Sequence, residues 1–193
     1  MTWQVAMLGS KLEDYILVVE DVLPKDICKA ILQEYAGSDD WRRTAIGTGV
    51  DVSIRSAWGI HISSETIINA NKLNRSFLDS AVYAAASKAI TAYKDAFPRC
   101  NISSDTGYDI LRYGVGEFYK EHVDYFTERP RAISCSFLLN ENYAGGQFSF
   151  FGEQKNIVVP EGGAVLFPSS FLYPHQILPV TQGERYSIVT WFV

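Results

Sequence analysis

Two of the chain's three histidines stand where a metal ion could use them. His122 and Asp124 form a His-x-Asp pair in RYGVGEFYKEHVDYF, and His175 follows 53 residues after His122 in FLYPHQILPV. Arg185, in GERYSIVTWF, comes ten residues later. Two imidazoles and one carboxylate grip one face of a divalent ion and leave the other positions open for substrate and O2, the arrangement of non-haem Fe(II) sites. Alternate residues of a strand point the same way, so His122 and Asp124 at a strand end share a face while Val123 turns from it. The third ligand must arrive from a distant strand, and His175 is the histidine placed late enough. An accidental His-x-Asp pair in this chain has a chance of about one in six, so the pair carries little weight without His175. Ligating imidazoles must be neutral and the carboxylate ionised, so metal affinity is expected to fall in acid.

Arg185 opens the apolar strand RYSIVTWFV. An unpaired guanidinium pointing inward from such a strand is costly. Its planar fork suits a bidentate carboxylate, which a dicarboxylic acid would supply. His61, in WGIHISS, has no acidic residue two positions on and is expected to be structural or at the surface.

The elements that must position these residues change character along the chain. YILVV (15–19) reads as a short strand; Pro24, Ile27, Ile31 and Tyr35 then mark a helix that Gly37 ends. Residues 39–64 alternate aromatics with Gly, Ser, Thr and Arg, as strands joined by a loop would, with GTGVDVS (47–53) its most flexible part. A second helix is predicted over 65–97, where Leu78, Val82, Ala85, Ala86, Ala89, Ile90 and Tyr93 make an apolar stripe at 3.6-residue spacing. After Pro98 short strands follow at 108–113, 117–122, 132–139, 147–151, 156–159, 164–167, 175–180 and 185–193, separated by turns such as GVG, ENYAGG, PEGG and TQG. This predicts a mainly β protein with flanking helices (α+β), a double-sheet jelly roll of the cupin type buttressed by amino-terminal helices. Residues 1–193 are expected to form a single domain, 1–100 giving the helical buttress, first strands and a substrate loop, and 101–193 the jelly-roll catalytic core.

Composition narrows the partners. The chain has 193 residues, 47% hydrophobic and 20% charged, and a formal net charge of −5, which gives no global attraction to nucleic acid or anionic membrane. No apolar run reaches the ~20 residues of a membrane span, and the start lacks the layout of a signal peptide. Cys28, Cys100 and Cys135 are odd in number and widely spaced, as expected of buried inert thiols in a reducing, cytoplasmic setting.

Tyr113, Gly116, Tyr119, His122 and Asp124 come at short regular spacings; the pair Gly145-Gly146, then Pro174-His175, Gly183-x-Arg185 and Trp191 follow in order. Over about residues 108–192 this set resembles the 2-oxoglutarate and Fe(II)-dependent dioxygenases, and within them the prolyl 4-hydroxylase branch. The resemblance implies His122, Asp124 and His175 as iron ligands, and Arg185 with the Tyr113 hydroxyl at the far carboxylate of 2-oxoglutarate. It implies Trp191 as an aromatic wall beside the metal. It also implies consumption of 2-oxoglutarate and O2, with release of succinate and CO2, in hydroxylating a C–H bond. Two positions depart from the family. Leu138 in FLLN stands where a tyrosine is frequent, and Gln147-Phe148 follows the double glycine where Glu-Thr or Glu-Leu is common.

The leading expectation is a hydroxylase of a peptidyl proline, with the loop 47–55 closing over the substrate and Arg55 touching it. A hydroxylase of a free amino acid or other small metabolite is the alternative, and a cupin-like metal- or sugar-binding module the non-enzymatic one. Nucleic-acid demethylases of this kind show a second arginine six residues after the first; Trp191 stands there instead.

Overall fold

Short apolar runs separated by glycine turns fold into two facing antiparallel sheets, because each strand has an apolar side to bury. The computed structural model describes residues 11–47, 49–62, 72–102, 104–128 and 130–193. The strands are β1 (Leu17–Val19), β2 (Arg42–Arg43), β3 (Arg55–Ser56), β4 (Trp58–His61), β5 (Asp109–Tyr113), β6 (Phe118–His122) and β7 (Ile133–Leu138). Then come β8 (Ala144–Gly145), β9 (Phe148–Phe150), β10 (Lys155–Ile157), β11 (Ala164–Pro168), β12 (His175–Ile177), β13 (Val180–Gln182) and β14 (Arg185–Phe192). The helices are α1 (Lys25–Tyr35) and α2 (Lys72–Ala96).

The larger sheet runs β1-β11-β7-β14-β5-β4-β2 and the smaller β10-β9-β12-β6-β3, with β13 and β8 as a separate ribbon. The jelly roll is therefore as predicted, but it is not confined to the second half: β1, β2 and β4 widen the larger sheet and β3 edges the smaller.

The larger sheet is covered on both faces. On β5, Ile110 joins the helix-side core with Leu78, Val82, Ala86 and Tyr93 of α2, while Leu111 and Tyr113 join the core between the sheets. Likewise Ala164 and Leu166 of β11 face the helices, and Val165 and Phe167 face the smaller sheet. The period-two alternation of strands thus sorts residues into two cores. The stripe of α2 fills the first, as its 3.6-residue spacing predicts. The part of the predicted helix over 65–71 lies outside the described residues.

Two boundaries differ from expectation. The run 175–180 is not one strand. Pro179, which cannot donate to a ladder, separates β12 from β13. The ENYAGG stretch contains β8, which pairs β13. Gly145 takes φ +74, and a Cβ there would lie 2.4 Å from the Pro179 carbonyl oxygen, so the ribbon requires glycine at that point.

Candidate active site

His122 ends β6 and His175 begins β12, and the two are direct partners in the antiparallel ladder. Asp124 follows two residues after β6 ends. The side chains converge: His122 Nε2 lies 3.7 Å from Asp124 Oδ1, and His175 Nε2 lies 3.5 Å from Asp124 Oδ2. One ligand atom from each residue lies within 4.8 Å of the others, near enough for a single ion to touch all three.

The tautomers also fit a metal. His122 Nδ1 lies 2.8 Å from the Lys120 carbonyl oxygen and His175 Nδ1 3.1 Å from that of Tyr173. A carbonyl can only accept, so each Nδ1 carries a proton, which leaves Nε2 as the ring nitrogen that faces the shared space. Burial, and after it the neighbouring His175, pushes His122 down to about 3, so its imidazole is neutral at ordinary pH. Burial alone would raise the Asp124 carboxyl. His175, His122 and hydrogen bonds from Trp191 and Ser134 outweigh it and hold the group below the usual carboxylate range.

Hydrogen bonds fix the carboxylate further. The Ser134 hydroxyl donates to Asp124 Oδ2 at 2.7 Å and lies 2.8 Å from Ser169 Oγ. Since the Ser134 proton is committed to Asp124, Ser169 is the donor of that second bond. Arg131 donates to the Asp124 carbonyl oxygen at 3.2 Å and stacks 3.5 Å over the Trp191 ring. Aromatic rings hold the imidazoles: Tyr119 stacks on His122 at 3.5 Å, and Phe148 on His175 at 5.4 Å.

A cavity of about 500 Å3 opens from this cluster between the sheets. Arg185 lies at its other end, only 4% exposed, next to Tyr113 in the β14–β5 ladder. Its Nη1 donates to Ser187 Oγ at 2.9 Å, its Nε has no hydrogen-bond partner, and it makes no ion pair among the described residues. A buried guanidinium so placed is short of one anion. A dicarboxylate of modest length, chelating beside the triad and reaching Arg185, answers that need. Gly146 makes room for the Arg185 side chain: a Cβ there would meet Arg185 Cδ at 3.1 Å.

Every site residue named from the sequence lines this one cavity: His122, Asp124, His175, Arg185, Tyr113, Trp191 and Arg55. Arg55 lies on β3, which pairs β6 with Arg55 opposite Tyr119; its guanidinium is 4.5 Å from the Tyr119 ring centroid and bonds the Ala45 carbonyl. Ala45, Ile46 and Gly47 line the cavity beside it, while Thr48 lies outside the described residues. His61 is half exposed as expected, yet it does have an acidic partner, Asp109, across the β4–β5 ladder at 2.7 Å. Sequence reasoning missed Ser134, Ser169, Ser187 and Arg131. The first and third had a signal. Ser134 and Ser136 alternate in the otherwise apolar ISCSFL, and Ser187 stands two residues from Arg185, hence on the same face. Ser187 is also the ladder partner of Leu138, so a hydroxyl faces the cavity from the strand beside the position where the family's tyrosine is missing.

Comparison with known proteins agrees with this geometry. The family model of the 2OG-Fe(II) oxygenase superfamily matches residues 108–193. A PKHD-type hydroxylase of Shewanella frigidimarina is 30% identical over 192 residues, covering 91% of this chain and 77% of that protein. One of Alteromonas mediterranea is 28% identical over the same shares of both chains. Among solved structures, a Trichoplax adhaerens prolyl hydroxylase in complex with a hypoxia inducible factor peptide fragment superposes with a TM-score of 0.74 at 18% identity, covering 92% of this chain and 82% of that one. A Pseudomonas putida prolyl-4-hydroxylase gives 0.65 at 22%, covering 92% and 91%. These structural likenesses establish the jelly-roll fold. The sequence relatives, together with the convergent His-Asp-His cluster, establish more: the chain belongs to the 2-oxoglutarate and Fe(II)-dependent oxygenases, as a hydroxylase of the PKHD type.

Proposed function

We propose that this hydroxylase acts on a prolyl residue of a polypeptide, with Fe(II) held by His122, Asp124 and His175. In this reading Arg185, steadied by Ser187 and joined by the Tyr113 hydroxyl, receives the far carboxylate of 2-oxoglutarate. The chemistry supplied there couples decarboxylation of 2-oxoglutarate, giving succinate and CO2, to insertion of one atom of O2 into a substrate C–H bond. The chain's own share is positioning and a shielded cavity. Phe148, Phe167 and Ile177 keep one wall apolar, and Trp191 under Arg131 closes the side next to Asp124.

The observation that carries the reading is a single cavity lined by the convergent His122, Asp124 and His175 and by the buried, unpaired guanidinium of Arg185. A polypeptide substrate is favoured by the mouth. Ala45–Gly47, Arg55, Phe126 and Glu128 line the cavity, and a second groove adjoins it, sharing Asp109, Arg131 and Trp191. A free amino acid would leave that groove empty. The Trichoplax enzyme, of the same fold, was solved with a peptide in place. Arg55 is then a donor to substrate carbonyls, and loop 47–55 the segment that covers the bound chain.

The test is incubation with Fe(II), 2-oxoglutarate and O2 against a panel of proline-containing peptides and, separately, free amino acids. Oxygen incorporated into a peptidyl proline in step with succinate supports the reading. Coupled oxidation of a free amino acid with no peptide turnover would sink it.

A further inference from the structure

The active-site cavity is electrically sorted along its length. Arg185 and Tyr113 are ladder partners at one end, and Asp109 lies opposite Val189 of the same two strands, four residues on. At ~3.4 Å per residue that is about 14 Å from the Tyr113 end. Asp109, Leu111 and Tyr113 alternate on one face of β5, so all three line the cavity. Along these two strands the cation, Arg185, is therefore buried and the anion, Asp109, part exposed.

A second groove shares three lining residues with the cavity, Asp109, Arg131 and Trp191; His61, Thr106, Pro130 and Val193 complete it. Its charges are not equally available. Arg131 is turned inward, stacked on Trp191 and Phe126 and bonded to the Asp124 carbonyl. Asp109 has one carboxylate oxygen on His61 Nδ1, and no bond to its second oxygen is recorded among the described residues; its side chain is 38% exposed. Asp79 of α2 and, across the mouth, the exposed Glu128 add negative charge nearby. Arg55 is the opposing cation, on the wall of the smaller sheet, with its guanidinium over Tyr119.

We propose that Asp109, braced by His61, forms a subsite for a basic side chain, lysine or arginine, of a residue flanking the one that is hydroxylated. The inference rests on the polypeptide reading above. An ammonium or guanidinium entering the groove meets a half-exposed carboxylate already oriented by one hydrogen bond, so little ordering is needed on the protein side. The same anion repels an acidic flank, which gives discrimination in both directions. It also keeps the dianionic 2-oxoglutarate from lodging at the mouth, while Arg185 repels a basic residue from the deep end.

The test uses two labelled alanine-rich peptides with one central proline, flanked by lysine in one and glutamate in the other. Fluorescence anisotropy measures their binding to the Fe(II)- and 2-oxoglutarate-loaded protein without oxygen, and air is then admitted to follow hydroxylation. Wild type is expected to bind the lysine peptide about tenfold tighter than the glutamate peptide. Asp109→Asn should level the two, and Asp109→Lys should invert their order. His61→Gln keeps an amide N–H that can hold Asp109 but removes the ring that carries positive charge when protonated, and should widen the preference. It carries the test alone if the Asp109 variants do not fold, and an unchanged or lost preference there overturns the subsite. So does equal or tighter binding of the glutamate peptide by wild type, or a lysine preference that survives Asp109→Asn. Selective lysine-peptide binding without hydroxylation in air would sink the proline reading and leave the subsite standing. Hydroxylation of both peptides at equal affinity would do the reverse.

Discussion

The two faces of β14 and its neighbour β5 use the same strands for opposite ends. Toward the helices they present Ile188, Phe192 and Ile110, all packed in the core with α2. Toward the smaller sheet they present Arg185, Ser187, Trp191, Tyr113 and Asp109, which line the cavity. Neither set is more buried by necessity: Arg185 at 4% exposed is as hidden as Phe192 at 4%. What differs is the tolerance of each face. An apolar side chain lost from the helix side leaves a void that costs stability. A polar one lost from the cavity side removes a function and little packing.

The sharpest break in that contrast comes from the triad. We expect His122→Ala, Asp124→Ala or His175→Ala to abolish succinate formation and iron retention while circular dichroism stays that of the wild type. Ile188→Ala should do the opposite, costing roughly 2–5 kcal/mol of stability, read from denaturant unfolding, with near-normal turnover in the fraction that remains folded. Full turnover by any triad variant with unchanged iron content would remove that residue from the metal site.

Arg185→Ala should act on one ligand alone. Losing one partner of a desolvated charge pair typically costs ~2–5 kcal/mol, so the apparent KM for 2-oxoglutarate should rise from about 30-fold to several thousand-fold at ~1.4 kcal/mol per decade. Arg185→Lys should keep more activity, because the charge survives and only the fork is lost. Unchanged 2-oxoglutarate affinity in the alanine variant would place the carboxylate elsewhere.

A smaller effect is expected one bond back from the metal. Ser134→Ala removes the hydroxyl that holds Asp124 Oδ2 and should weaken Fe(II) or Mn(II) binding ~10–100-fold without moving the KM for 2-oxoglutarate. Ser134→Thr should restore it if the cavity accepts the methyl. Equal metal affinity in all three proteins would leave Ser134 with a packing role only.

The smallest effect concerns pH. The hydrogen bond to Asp109 raises the His61 pKa in the folded protein, against the lowering pull of burial. A raised folded value means that the pair's full contribution is present below the unfolded value of about 6.5 and is lost as pH climbs through the higher folded one. The slope of stability against pH just above 6.5 should therefore flatten in His61→Gln, and an unchanged slope would show the pair to be energetically silent. Both side chains are near half exposed, so the effect is modest.

Sequence and structure agree where the chemistry is local and part where it is long-range. His122 and Asp124 are two residues apart at the end of a strand, and Gly183 and Arg185 stand at one short turn, so a local window of sequence is enough to read them. The stripe on α2 is likewise written in consecutive turns. By contrast the Ser134–Ser169 pair, the bond of His61 to Asp109 and the β8–β13 ribbon depend on which strands become neighbours. Register between strands tens of residues apart is a property of the closed topology rather than of any window of sequence. The strand at 15–19 is β1, and strands were expected within 39–64, but their bounds there were not legible. β2 and β3 have two residues each, too few for a period to show.

One feature of the ladder has a mechanical meaning. His122 and His175 face each other on paired strands, so whatever ion they share is also a removable staple across a loop of 53 residues. Closing such a loop restricts the unfolded chain, and an ion that binds only the folded form stabilises it by mass action. Resistance to unfolding would then rise with the logarithm of free metal. A chain starved of iron would lose its catalyst and the clasp between β6 and β12 together.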